Sequence, residues 1–426
     1  MGLMKLTGIP RASRPPRMVR VKQEFAGPML PDVTGAVREA LGRVALPVRP
    51  GQSVALTAGS RGIVNIDVVV RATVDYLKGL GAEPFIIPAM GSHGGGTAEG
   101  QRSVLAHYGV TEAAMGCPIR ATMDVVQIGE VLGLPIWLDR YAAEADWIGV
   151  INRVKPHTGF AGEIGSGLLK MMTIGMGKHR GAVQAHRANI RLGYETMITA
   201  LGREMLKVAR VAFGLGVVDN GHDETALVRA FLPGELEAGE RELLRLAKAW
   251  MAKLPFDAID LLIVDEIGKD VSGTGMDTNV IGRHATFFER PFTTPKVTFI
   301  VACDLTANTH GNANGIGLAD FTTRRLADQI DWEPTYVNAL TACSPAGPKL
   351  PAVLDTARDA VGVALACLGL ERPEEARVVR IRNTLRLGEV EVSEAFLPEL
   401  GARPDLARLG DPAPLAFDAD GALSPF

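Results

Sequence analysis

The chain has 426 residues, more than one ordinary domain needs, and 47% of them are hydrophobic against 22% charged, which is enough apolar mass for two folded cores. A formal net charge of -3 gives no electrostatic ground for binding nucleic acid or an anionic membrane, so the expected partner is a small molecule. Cys117, Cys303, Cys343 and Cys367 lack CxxC spacing, which excludes a zinc knuckle or disulfide framework and predicts four small buried side chains.

The N-terminus carries Arg11, Arg14, Arg17, Arg20 and Lys22 without the apolar stretch of a signal peptide, and reads as a solvated arm or a first strand. No run of about 18 apolar residues occurs, so a soluble cytoplasmic protein is expected. From Ser53 the segments SVALTAG, NIDVVVRATVDYLKGLGA and EPFIIPAMG read as strand, helix and strand. A helical stretch follows Thr97, then the strand candidates DVVQIGEV and DWIGVINRV, a long helical region over 168–208, the strand ARVAFGLGVVD and a helix near 235–253.

The run AIDLLIVDEIG opens a second unit, continued by KVTFIVACDLT, helices near 321–330 and 352–368, and the strands RVVRIRN and EVEVSEA. The tail after Leu400 reads as an irregular segment that packs back. This alternation predicts an α/β protein of two α/β domains with mainly parallel sheets and a cofactor and substrate cleft between them. The expected division is 1–255, catalytic and cofactor-binding, and 256–426, which completes the substrate pocket.

Three loops follow strands of the first unit. In TAGSRGI, Arg61 lies between two glycines, either as a clamp for a carboxylate or phosphate or as a solvated turn residue. In AMGSHGGGTAEG, His93 stands among glycines that offer it no local packing, and Thr97 is placed to cap the next helix, whose free amides suit an anion. The third runs from Val154 to His186, VKPHTGFAGEIGSGLLKMMTIGMGKHRGAVQAH, and holds three histidines, three lysines and seven glycines. Histidine titrates near neutral pH and ligates metals, and a lysine in an apolar setting can become a nucleophile. His157, Glu163, Lys170, Lys178, His179 and His186 are its candidates, with Lys178 and His179 able to meet a phosphate from a helix start. Local pattern does not say whether Lys170 and His186 converge. His107, His222 and His284 read as structural, while His310, in ANTHGNANGIG, sits in what looks like a substrate-facing turn.

These motifs resemble the nickel-dependent lactate racemase family, over most of the chain and most strongly in its first half. MGSHGGGT resembles the family's histidine after a glycine-rich turn, and KPHTGFAGEIG its P-H segment followed by a Gly-Phe turn. The resemblance implies that His93 and His157 are the paired acid and base. It implies that Lys170 is the lysine joined to a nickel-pincer nucleotide (pyridinium-3,5-bisthiocarboxylic acid mononucleotide) and His186 the nickel ligand, since the spacing from Lys170 through Gly175 to His186 is kept without a gap. Gly175, Thr97 and Lys178 become cofactor-binding candidates, and Arg61 the holder of the substrate carboxylate.

The implied activity is racemisation or epimerisation of a 2-hydroxy acid, hydride leaving C2 for the nickel-bound cofactor while one histidine takes the hydroxyl proton. The chain departs from the family at Ala58, where an acidic residue is usual, at Gly94, where arginine is common, and in a longer interval from His157 to Lys170. The family's Tyr-Gln and lysine pattern in the second unit is replaced by EIGKDVSGTGMDTNVIGR and THGNANGIG. Lys269, Asp277, Asn279 and Arg283 are therefore the substrate-contact candidates there, and a more polar pocket points to a larger or more hydroxylated acid than lactate. Two other readings stay open: a metal-dependent hydrolase or lyase with His93, His157 and His186 as direct ligands, and a non-catalytic protein that binds a sugar acid or nucleotide. Oligomeric state stays open too, a homo-oligomer included.

Overall fold

A computed structural model describes residues 8–12, 14–59, 63–284 and 292–426. It divides into two compact units, Ala26–Met251 and a second that joins Met1–Phe25 to Ala252–Phe426. The expected first domain began at residue 1. Instead β1 (Arg17–Gln23) pairs antiparallel with a strand near the C-terminus, because its buried Met18, Val19 and Val21 complete the second unit's sheet while Arg17 and Lys22 stay exposed.

In the central unit, β2 (Ser53–Ala58), β3 (Glu83–Pro88), β4 (Val125–Val131), β5 (Leu134–Asp139), β6 (Trp147–Arg153), β7 (Val211–Asp219) and β8 (Thr225–Phe231) follow in chain order. The main sheet runs β3-β2-β6-β7-β8, parallel except for β8. Val54 to Ala58 and Pro84 to Pro88 are buried almost without interruption, as expected of parallel strands covered on both faces. The helix Ile66–Gly79 turns Ile66, Val69, Val70, Thr73, Val74 and Leu77 inward at helical spacing. They pack with Leu56 and Phe213 on one face, while Phe85, Val150, Leu168 and Met197 belong to the core on the other. Each such side chain contributes roughly 1.5–3 kcal/mol on burial.

Two expected elements differ. DVVQIGEV does not join the parallel sheet: β4 and β5 form a separate antiparallel ribbon, turned at Leu132 and Gly133, because β4 buries no residue fully. The long helical region is broken into Leu168–Lys170, a π turn over Met171–Gly175, Lys178–Leu192 and Tyr194–Val208.

The second unit adds β9 (Ala258–Val264), β10 (Lys296–Ala302), β11 (Phe321–Thr323), β12 (Ala352–Leu354), β13 (Val378–Ile381), β14 (Glu389–Ser393), β15 (Leu406–Arg408) and β16 (Ala413–Pro414). Its sheet runs β12-β11-β10-β9-β13-β14-β1-β15, with β16 also on β1; the first five strands are parallel and the rest antiparallel. β11 and β12 occupy the starts of stretches expected to be helical, where buried Phe321, Thr322 and Thr323 favour a strand before the helices Arg324–Asp328 and Ala357–Cys367. The tail packs back through β15 and β16, as expected. Cys117 and Cys303 are buried, but Cys343 is half-buried and Cys367 exposed, so the expectation of four buried cysteines fails at the two beside helix ends. No helix among the described residues is long and apolar enough to cross a membrane.

Candidate functional site

The carboxyl ends of β3, β2 and β6 lie side by side, and the three loops singled out by sequence leave from that edge. Open α/β sheets gather ligand-binding groups there. Arg61, on the loop after β2, lies outside the described residues. The loop after β3 is held from below by Gln101, whose side chain is fully buried and donates to the carbonyls of Gly91 (2.9 Å) and His93 (3.3 Å). Gly94 has φ +65, and a Cβ there would lie 2.6 Å from the amide nitrogen of Gln101, so only glycine lets the loop close on its helix. His93 is left exposed at the turn. Thr97 caps the helix Ala98–His107 by accepting from the Gly100 N–H at 3.0 Å.

The loop after β6 closes through a two-way bridge, Lys155 N–H to Ser166 C=O at 3.0 Å and the reverse at 2.8 Å. Two carboxylates from other helices pin it. Glu195 accepts from the amides of Glu163 (2.6 Å) and Ile164 (3.2 Å), and Glu240 accepts from the Leu169 N–H at 2.7 Å. Glu240 is fully buried, its second oxygen has no hydrogen-bond partner, and burial pushes its carboxyl up to about 7 against the pull of the Leu169 and Leu168 amides. It thus caps the helical turn that carries Lys170 with a carboxyl poised near neutrality. Inside the loop, His157 stacks on Phe160 (4.6 Å, 25°), and its Nδ1 accepts from the Gly159 N–H at 2.8 Å. A neutral His157 held this way carries its proton on Nε2, and a second proton can be taken up only on Nδ1, once the Gly159 contact loosens.

Lys170 leaves this turn half-buried, its Nζ donating to Ser166 Oγ at 3.2 Å. His186, just past the middle of the helix Lys178–Leu192, lies close enough to feel its charge: burial first, and Lys170 second, hold the His186 imidazole down to about 4. At neutral pH the ring is uncharged and keeps a lone pair for a metal. Its Nδ1 is 2.5 Å from the Tyr194 hydroxyl, so Nε2 is the ring nitrogen that contact leaves open. The Lys170 charge is thus within electrostatic range of the His186 ring, a proximity the local pattern left open. Gly175 is where this segment meets the β3 loop: its carbonyl accepts from the Gly91 N–H at 3.3 Å, and a Cβ would lie 2.7 Å from the Ala89 carbonyl. That gives Gly175 a packing role whatever it does for a cofactor.

Lys178 is a correction. Its side chain is fully enclosed, with Nζ 3.0 Å from Asp139 and donating to the Pro88 carbonyl and Gln101 Oε1, so it is not available to a phosphate. Burial pulls the ammonium down and pushes Asp139 up, opposed by their mutual attraction. The pair ties the ends of β3 and β5 to the first turn of the His186 helix. His179, one residue on, is exposed, and with Arg180, Arg187, Arg191 and Trp137 it lines a shallow groove of about 570 Å³ on the outer side of that helix.

In the second unit the four candidates are engaged with their own fold. Arg283 donates to Asp320 (2.7 Å) and to the carbonyls of Leu318 (3.0 Å), Val297 (3.1 Å) and Thr298 (2.6 Å), which corrects its reading as a substrate contact. Asp277 caps the turn Thr278–Ile281, accepting from the amide and side chain of Asn279 at 2.9 and 3.0 Å, so both side chains serve that cap. Lys269 donates to the Gly273 carbonyl (2.8 Å) and to Asn338 Oδ1 (2.5 Å). His310 is exposed with φ 48, ending a short turn. His107 packs edge-on to Tyr108, His284 stacks on Phe292, and the His222 amide bonds to Asn220 in the β7–β8 turn.

Sequence reasoning missed three side chains that shape the site: Tyr194, Glu240 and Asp139. The only signal for Tyr194 was Gly193, which breaks the helical pattern just before it; Glu240 and Asp139 had none, being ordinary charged residues in ordinary elements.

The architecture is that of a two-unit, mainly parallel α/β protein with its polar loops at the carboxyl edge of the central sheet. More particularly, the fold is lactate racemase-like. The lactate racemase apoprotein of Thermoanaerobacterium thermosaccharolyticum superposes with a TM-score of 0.51 at 11% identity, over 88% of this chain and 94% of that one. A protein of Thermotoga maritima known from its crystal structure gives 0.50 at 14% identity, over 76% and 84%. No protein-family profile and no curated protein sequence matches the chain.

Proposed function

We propose that the protein is an isomerase, a racemase or epimerase of a 2-hydroxy acid that uses a nickel-pincer nucleotide. The observation that carries this is the buried His186, whose Nδ1 is already engaged by the Tyr194 hydroxyl and whose ring burial keeps uncharged, with the Lys170 amine within electrostatic range: a single imidazole for nickel and an amine for a covalent tether. Among the described residues no group of three or more His, Cys, Asp or Glu side chains is disposed to hold a metal ion, which suits a metal that arrives with donors of its own better than the hydrolase or lyase reading.

Bound there, the cofactor supplies a reversible acceptor for the hydride of C2. The rest of the work belongs to side chains. Lys170 anchors and His186 offers Nε2. His93, exposed and on its own loop, takes the hydroxyl proton or returns it. His157 is the second acid and base, exchanging a proton at Nδ1 when its Gly159 contact loosens. Two such groups are needed because the hydride returns to either face. Arg61 is the proposed partner of the substrate carboxylate.

The test is a panel of 2-hydroxy acids in D2O with protein co-produced alongside cofactor-making enzymes. Inversion at C2 with protium retained there supports hydride return. Inversion with deuterium entering C2 at the same rate identifies a proton-abstracting racemase instead, and binding without inversion identifies a non-catalytic homologue.

A further inference from the structure

The helix that carries His186 ends at Gly193, whose φ of +74 lets the chain turn at once into the helix Tyr194–Val208. Tyr194, the first residue past the turn, is 7% exposed and folds back over the helix it has just left. Its hydroxyl lies 2.5 Å from His186 Nδ1, with the rings edge-on at 89°. The same phenol packs 5.6 Å from the His157 ring and 5.4 Å from Phe160, and the next residue, Glu195, grips the amides of Glu163 and Ile164. One side chain therefore touches a histidine on the β6 loop and a histidine on the helix, and no other described ring contact joins both.

We propose that Tyr194 is a positioning residue that fixes the tautomer and orientation of His186 while bracing His157 against it. The proposal rests on the reading of His186 as a metal ligand for its purpose, but not for its geometry. A hydroxyl suits the task because it both donates and accepts. With no metal on Nε2, the phenol O–H can donate to Nδ1. With Nε2 engaged by a metal, the ring's single proton would sit on Nδ1, and the same oxygen would accept it. Partners of this kind hold a ligating ring at one angle and raise its basicity, and their loss typically costs 10- to 100-fold in metal affinity. Phenylalanine keeps the packing against His157 and Phe160 and removes only the oxygen.

The experiment compares the wild-type protein with Tyr194→Phe. With the eight histidines labelled by 15N and His186 assigned by its loss in His186→Gln, ring nitrogen shifts of the cofactor-free protein report the tautomer directly. The expected result is one fixed His186 tautomer in the wild type and averaging in Tyr194→Phe. On cofactor-loaded protein, denaturing mass should show the Lys170 adduct equally in both, while a chelator strips nickel from Tyr194→Phe roughly 10- to 100-fold faster. A Tyr194→Phe protein with the wild-type His186 tautomer and wild-type nickel retention overturns the proposal, even if its melting temperature falls. A wild-type protein that never takes up nickel, yet shows the tautomer locked and then released by the substitution, retires the nickel reading and leaves Tyr194's hold on His186 established.

Discussion

The central unit and the second unit contain polar clusters that look alike in sequence and are used differently. At the carboxyl edge of β3, β2 and β6, carboxylates and amides such as Glu195, Glu240 and Gln101 bind backbone, and the histidines and Lys170 stand on the scaffold so made. In the second unit Arg283, Asp277 and Asn279 are themselves the scaffold, consumed by a turn and by strand-end carbonyls. The lesson is that a run of Asn, Asp, Gly and Arg marks a place where backbone needs partners, and only the count of those partners separates a ligand site from a well-tied loop.

Substitutions sharpen this contrast. The largest effect is expected at the acid and base: His93→Ala or His157→Ala should lower the inversion rate roughly 10²- to 10⁴-fold while leaving the cofactor bound, as read by turnover and intact mass together. Next comes the enclosed pair. Lys178→Ala leaves Asp139 buried without its partner and should cost about 3–5 kcal/mol in urea unfolding; a Lys178→Ala protein of normal stability but weakened cofactor binding would return Lys178 to the ligand-binding group.

Glu240 gives a pH signature. Its carboxyl is raised from 4.5 to about 7 in the folded state, so the folded protein holds an extra proton between those values. That contribution to stability is fully present below about pH 4.5 and lost as pH rises through 7, a swing on the order of 3 kcal/mol. Glu240→Gln should flatten this part of the stability profile and gain relative to wild type at pH 8, whereas an unchanged slope would mean the carboxyl titrates normally. The smallest effect is at Arg283. Its loss strands an acid and three carbonyls and should cost about 1–3 kcal/mol with KM unchanged. A KM that rises instead, with stability intact, would break the contrast between the units.

Much of this was legible in the chain. Buried parallel strands announce themselves as unbroken apolar runs, so β2, β3, β6, β7, β9 and β10 were found, and with them the loops that bear His93 and His157. What escaped was non-local. β1 carries no mark of pairing with β14 across nearly the whole chain, and the three residues of β11 are too few to show a period against the helix that follows. DVVQIGEV has strand composition, but nothing in it says that its partner is the next strand rather than the sheet. The site behaved in the same way. Lys170 and His186 were marked by residue type, but the π turn at Met171–Gly175 that separates the helical turns carrying them was not, and Tyr194, Glu240 and Asp139 act from elements whose sequences look like plain packing.

The central claim, that Lys170 tethers and His186 ligates a nickel-bearing cofactor, is tested most directly by denaturing intact mass and metal content on wild-type, Lys170→Ala and His186→Ala proteins co-produced with cofactor-making enzymes. The expected result is a mass adduct mapping to Lys170 with close to one nickel per chain in the wild type, no adduct in Lys170→Ala, and an adduct depleted of nickel in His186→Ala. Zinc without any adduct in the wild type, or an adduct that persists in Lys170→Ala, would contradict it.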